Sequence, residues 1–415
     1  MSAITVESPG TKFSSSDSII PAALQIPRRL ASLDAYRGAI MLFLASSGLE
    51  LSGAARHFPE SRTWGFIGYQ LEHTRWQGCS AWDLIQPSFM FMAGVALPFS
   101  LANRRAKGQS ASKMWMHILW RSLVLILLGF FLRSIGRTQT YFTFEDVVTQ
   151  IGLGYPFLFL LAFARPRTQF IIAIVILVGY WAAFAFYPLP PEGFNYATVG
   201  VSTRWQHLTG FAAHWDKNTN FAAGFDRWFL NLFPRASRFE FNAGGYQTLS
   251  FIPSLVTMVF GMLSGELLRT HQPARRKFVI LIVAGIVGII LGAILDQTGI
   301  CPSVKRIWTP AWTLYCGGWT CLLLATFFAL IDWAGLRRVA FPLIVVGMNS
   351  IAMYCMTEIG PFQQFIRGTL KTHFGAGMFE TAGGTYALAI EAAVITGIQW
   401  LICFWMYRRK IFLRI

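Results

Sequence analysis

Charge is scarce in this sequence. Of its 415 residues, 13% are Asp, Glu, Lys or Arg, about half the share of a soluble domain. Acidic residues are the scarcer kind, 19 against 35 Lys and Arg. In a soluble chain the resulting net charge of +16 would suggest nucleic acid. Here the basic residues fall in short clusters between apolar runs, the pattern of positive-inside membrane loops, and no nucleic-acid partner is expected. Cysteine offers no metal site: residues 79, 301, 316, 321, 355 and 403 show no CxxC or Cys/His spacing. Cys79 and Cys301 both fall in expected exterior loops, which leaves a disulfide between them open. The start of the chain lacks the apolar core of a signal peptide, and its Ser, Thr and Pro predict a disordered cytosolic tail over 1–28. No internal repeat is visible, which weakens a transporter reading, because many transporters are built from repeats.

What is abundant is apolar surface: 54% of the residues are hydrophobic, with 37 Phe and 15 Trp. Segments of roughly 20 apolar residues predict membrane helices, and ten qualify, at 34–53, 83–102, 115–133, 147–164, 169–187, 248–268, 278–295, 310–332, 341–360 and 385–407. The expected fold is an all-α polytopic membrane bundle with about ten spans, its transmembrane domain covering 29–415. Loops rich in Arg and Lys (Arg104/Arg105/Lys107, Arg275/Arg276/Lys277, Arg408/Arg409/Lys410) alternate with loops of mixed sign. Both termini are therefore expected in the cytosol. The long segment 189–247, aromatic and with little helical period, is expected as an exterior loop or cap.

Ionisable groups within spans are costly and point to function. Asp34, Arg37, Asp83, Arg121, Glu266, Glu358 and Glu391 are the candidates. Glu266 reads as interfacial, Glu391 as solvated or paired, and Asp34 and Arg37 are spaced to pair with each other. His73 lies in an aromatic loop ten residues before Asp83. A carboxylate there can hold one imidazole nitrogen and leave the other free, the arrangement of general-base and nucleophilic catalysis.

The runs RLASLDAYRGAIMLFL (29–44), HTRWQGCSAWDLIQPSFMFMAGVAL (73–97) and WRSLVLILLG (120–129) resemble the heparan-α-glucosaminide N-acetyltransferase family. The resemblance continues through HWDKNTN (214–220), FNAGGYQTLSFIPSLVTMVFGMLSGELLR (241–269), KRIWTPAWTL (305–314) and FPLIVVGMNSIAMY (341–354). It implies transfer of an acetyl group from cytosolic acetyl-CoA to a sugar amine across the membrane. The family's catalytic histidine, in a His-x-x-Trp-x-Gly loop, falls on His73, and its aspartate on Asp83. Where many relatives have Leu-Gln-Arg-Ile-Gly, this chain reads VVTQIG with Gln150 in the arginine position.

The expected function is thus a multi-pass acyltransferase, in a bacterial inner membrane, moving an acyl group from acyl-CoA to a sugar amine or hydroxyl. A glycolipid or sugar transporter without covalent chemistry is the alternative. Arg37 and Arg121 are the candidate ligands of the CoA phosphates. Trp76, His214, Lys217, Asn218 and Asn242 are the candidate acceptor-binding residues. Acyl-CoA is a co-substrate, no resident cofactor or metal is expected, and homo-oligomerisation stays open.

Overall fold

The computed structural model describes residues 30–413; the expected tail over 1–28 lies outside the described residues. The chain is 71% helical, and the only strand-like pairing among the described residues is an isolated bridge between Gln77 and Val304. The principal helices are α1 (Ala31–Ala45), α2 (Ile85–Ala106), α3 (Ala111–Ser134), α4 (Val147–Leu161), α5 (Pro166–Ala185) and α6 (Phe251–Arg269). After them come α7 (Ala274–Gln297), α8 (Pro310–Phe327), α9 (Phe341–Met348), α10 (Ser350–Glu358) and α11 (Ala387–Arg408).

Among the described residues, seven helices are long and apolar enough to cross a membrane, and nine if each of two bent pairs counts as one span. The bent pairs occupy the expected spans 34–53 and 341–360. In the first, Ala31–Ala45 meets Ser47–Ala55 at 44°, and Ser47, Gly48, Leu49 and Glu50 all take positive φ. Four consecutive left-handed residues cannot continue a right-handed helix. In the second, α9 and α10 meet at 76° about Asn349. The remaining expected span is α4, with 15 residues. At 1.5 Å per residue its helix is only about 22 Å long, short of a hydrocarbon core of about 30 Å.

Apolar surface faces outwards on α3, α5 and α7, where residues such as Leu127, Val175, Val283 and Ile290 are exposed. A helix apolar all round belongs in lipid or a large core, so these faces are lipid-facing. Without a hydrophobic drive between helices in lipid, close backbone contact holds a bundle together. The α2–α6 crossing shows how close: a Cβ added to Gly94 would lie 1.9 Å from Met258 O, and one added to Gly261 would lie 2.0 Å from Phe91 O. Only glycine fits there. This crossing anchors the helix that begins two residues after Asp83.

The 189–247 segment is ordered around a buried aromatic core of Trp76, Phe184 and Trp215, joined by Val304 and Ile307. It contains a nine-residue helix, Phe221–Phe229, which reading the sequence did not single out although Phe221, Phe225, Trp228 and Phe229 fall on one face at helical spacing. Glu391 is paired, as one of the two sequence readings has it, with Arg367 and Lys371. Glu266 accepts from Gln169 Nε2 at 3.0 Å.

Candidate active site

Two loops make the core of the site. The first, between Leu71 and Ala81, carries His73. The second, Cys301–Thr309, links α7 to α8 and carries Lys305. They are clamped together by backbone: Gly78 N–H donates to Ser303 O at 3.0 Å beside the Gln77–Val304 bridge. The Asp296 carboxylate at the end of α7 accepts from Gln77 Nε2 at 2.7 Å and from Ser303 N at 2.6 Å. Thr309 closes the second loop on itself, its hydroxyl accepting from Val304 N at 3.0 Å and donating to Pro302 O at 2.7 Å. Arg306 then ties both loops to the 189–247 segment by donating to Thr74 O and Gly244 O.

Asp83 sits at this junction, in a single 3₁₀ turn ahead of α2. Its side chain is 1% exposed, and such a carboxylate must be fully hydrogen-bonded. One oxygen, Oδ2, accepts from Thr74 N at 3.2 Å, Thr74 Oγ1 at 3.0 Å and Ser80 N at 3.3 Å. The other, Oδ1, is shared by His73 Nδ1 at 2.7 Å and Lys305 Nζ at 3.2 Å. A contact of 2.7 Å between nitrogen and carboxylate oxygen needs a proton between them. It therefore fixes the imidazole as the Nδ1–H tautomer. The other ring nitrogen, Nε2, has no hydrogen-bond partner among the described residues. The imidazole is 40% exposed and packs edge-on against Trp82.

His73 and Lys305 line a cavity of about 290 Å³ with Leu44, Gln86, Phe89 and Tyr246. Arg133, Glu145, Tyr354 and Glu358 also line it. Arg133 is paired with Asp146 at 2.9 Å, and Asp146 also accepts from Tyr354 Oη at 3.0 Å. With Lys305 matched by Asp83, Glu145 and Glu358 leave carboxylates in excess of cations. Burial pushes the Glu145 carboxyl up, against the pull of Arg133. Burial, with Asp83 nearby, likewise pushes the Cys79 thiol up to about 12, so it is protonated at neutral pH and is no ready nucleophile. Cys79 and Cys301 are both free. No group of His, Cys, Asp or Glu among the described residues is arranged to hold a metal ion.

The other residues singled out from the sequence are more scattered. Trp76 is buried and donates to Trp215 O at 3.1 Å. His214 Nδ1 lies 2.8 Å from Tyr187 O. Lys217 is buried with its ammonium 4.7 Å from the Trp205 ring centre, and Asn218 donates to Val199 O and Asn242 O. Asn242 donates to Glu145 and so touches the cavity wall from behind; none of these five lines the cavity itself. Arg121 donates to Tyr155 Oη at 2.9 Å with its guanidinium over that ring. Arg37 reaches Met92 O at 3.4 Å. Gln150 is one hydrogen bond from the cavity, accepting from Gln86 Nε2 at 3.5 Å. A second His–Asp pair, His207 and Asp216, lies away from the cavity.

Lys305, Arg133 and Glu145 are the charged cavity residues that reading the sequence did not single out. Lys305 stands within the run KRIWTPAWTL that carries the resemblance, which was the available signal. Arg133 and Glu145 stand at span edges, where charge is ordinary.

No protein-family model matches the chain. It is 22% identical over 434 residues to heparan-alpha-glucosaminide N-acetyltransferase of Homo sapiens, with 94% of this chain and 60% of that protein covered. The protein of the same name from Mus musculus is 23% identical, with 93% of this chain and 60% of its own length covered. The chain thus spans about 60% of the length of these relatives.

Proposed function

Similarity over 94% of the chain supports membership of the heparan-α-glucosaminide N-acetyltransferase family, and on that premise we propose a membrane-embedded acetyltransferase that acylates the amino group of a sugar with acetyl-CoA as donor. The observation that carries this reading is His73. One ring nitrogen is held by buried Asp83, and the ring lines a cavity large enough for a thioester and an amine.

A thioester is already activated, so the protein must align the amine, take its proton and favour the tetrahedral oxyanion. The amine nitrogen attacks the thioester carbonyl carbon. His73 Nε2 accepts the proton that nitrogen loses, the C–S bond breaks, and the imidazolium returns the proton to the departing CoA thiolate. Asp83 holds the ring and stabilises its charged form in passing. The acidic side chains Glu145 and Glu358 favour an amine over a hydroxyl, because an amino sugar arrives largely as an ammonium ion that carboxylates attract; the ammonium releases one proton to solvent before the neutral amine attacks. Arg37 and Arg121 serve the CoA phosphates. Trp76, His214, Lys217, Asn218 and Asn242 shape the acceptor side, acting through the loops they brace.

In this proposal the chain has both termini in the cytosol of a bacterial inner membrane, with the 189–247 segment and the acceptor outside. The test uses purified protein in liposomes, with radiolabelled acetyl-CoA on one side and glucosamine on the other. N-acetylglucosamine should accumulate, and His73→Ala should stop it. Movement of sugar without modification would replace this reading with transport.

A further inference from the structure

Lys305 is buried at 5% exposure, and its ammonium lies 3.2 Å from Asp83 Oδ1 and 3.2 Å from His73 Nδ1. The triangle permits one proton arrangement. Asp83 has no proton to give while Lys305 donates to its Oδ1, so the proton on the short His–Asp contact belongs to Nδ1. An Nδ1–H cannot also accept from Lys305. The lysine is therefore an electrostatic neighbour of the ring and a hydrogen-bond partner of the carboxylate.

A carboxylate 2.7 Å from one ring nitrogen favours imidazolium, and an ammonium 3.2 Å from the same nitrogen opposes it. We infer that Lys305 is a positioning residue for His73: it confines the shared proton to Nδ1 and its charge opposes protonation of Nε2. The inference rests on the proposed role of His73, but its central claim concerns only the ring's protonation.

Other charged groups face the same histidine. Glu72 and Arg75 neighbour it on its own loop, Arg306 follows Lys305, and Arg133, Glu145 and Glu358 line the cavity with Tyr246 and Tyr354. All are unchanged when only Lys305 is replaced, so a difference between variants isolates the lysine.

The experiment measures how fast diethyl pyrocarbonate modifies His73 as a function of pH, read peptide by peptide in a mass spectrometer on the full chain in detergent. Only neutral imidazole reacts, and the readout does not depend on acetyl transfer. Lys305→Gln removes the charge yet can still donate to Asp83, and Lys305→Arg keeps the charge. The midpoint for His73 should rise by roughly 1–3 pH units in Lys305→Gln and stay close to wild type in Lys305→Arg. Asp83→Asn should move it the opposite way. The acid limb of kcat/KM for acetyl transfer should follow the Lys305→Gln shift, with activity largely recovered at high pH. An unmoved midpoint in Lys305→Gln, or an equal rise in Lys305→Arg, would overturn the inference. If the midpoint shifts as expected while neither wild type nor variant acetylates an amine, the inference stands and the transferase reading fails.

Discussion

Replacing Asp83 by Asn should damage stability and turnover for separate reasons. Asn keeps the volume but removes the charge opposite Lys305, whose side chain is 6% exposed. At the observed 3.2 Å separation the lost attraction is about 5 kcal/mol at an effective dielectric constant of 20. Breaking a buried pair from one side costs about 3–5 kcal/mol in practice, because the remaining charge is left unpaired. His73→Ala removes a half-exposed ring and strands no charge, so it should cost far less. Removing both charges in Asp83→Asn/Lys305→Met should recover most of the loss, since apolar replacement of a whole buried pair is often neutral. Thermal unfolding in one detergent, with CoA binding as a check on folding, ranks the four proteins. Turnover should fall about 10²–10⁴-fold in folded Asp83→Asn, and Asp83→Asn/His73→Ala should be about as slow as His73→Ala alone, because residues acting as one unit lose little more together. Asp83→Asn melting with wild type, or a charge-pair double variant no better than Asp83→Asn, would refute the electrostatic argument. Fully additive losses in turnover would refute the coupling of His73 to Asp83.

Gly261→Ala places a methyl group 2.0 Å from Phe91 O and forces α2 and α6 apart; an overpacking loss of about 1–3 kcal/mol or more should appear as a lower melting temperature, and an unchanged one would contradict the close crossing. Arg121→Gln and Arg37→Gln should weaken binding of CoA more than of glucosamine in titration calorimetry, whereas equal losses would return both arginines to a packing role. Burial lifts the Asp226 carboxyl to about 7; the unfolded chain ionises first as pH rises, so this group removes stability between the usual carboxylate range and about pH 7, and the melting temperature of Asp226→Asn should fall less over that window than wild type. Reporter fusions after Lys107, Arg276 and Arg409 should read as cytosolic and one near residue 215 as exterior, and an exterior carboxyl terminus would reverse the assigned orientation.

His73 and Asp83 were legible because they are ten residues apart and the second opens an apolar run; one glance at the chain contains both. Glu358 was legible for a related reason, as a carboxylate within an apolar stretch, and it lines the cavity. Lys305 was not, because its partners are 222 and 232 positions away and beside Arg306 it reads as an ordinary loop charge. Trp76 and Lys217 look like ligands for a sugar in the sequence, yet their tips are spent on Trp215 and Trp205; a hydrogen-bonding side chain does not reveal in advance whether protein or ligand will satisfy it. The apolar spans were legible from composition. The bends within two of them were not, since positive φ at Leu49 and Glu50 runs against local preference and is imposed by surrounding contacts.

The clamp between the two loops has a consequence for how the protein is made. His73 leaves the ribosome long before the strip that pins it, and α2 enters the membrane with Asp83 at its end well before Lys305 is synthesised. During that interval the carboxylate lacks its cation, and the histidine loop lacks Ser303 and Val304 to pair with. Synthesis proceeds at roughly 5–20 residues per second, so a gap of 222 positions leaves the half-site open for about 10–45 seconds. The hairpin of α7 and α8 completes it in one insertion step. A nascent chain arrested before α8 should therefore be stably inserted through α2 and α6 yet leave His73 fully open to modification, and reactivity should drop only once the ribosome has passed the second loop.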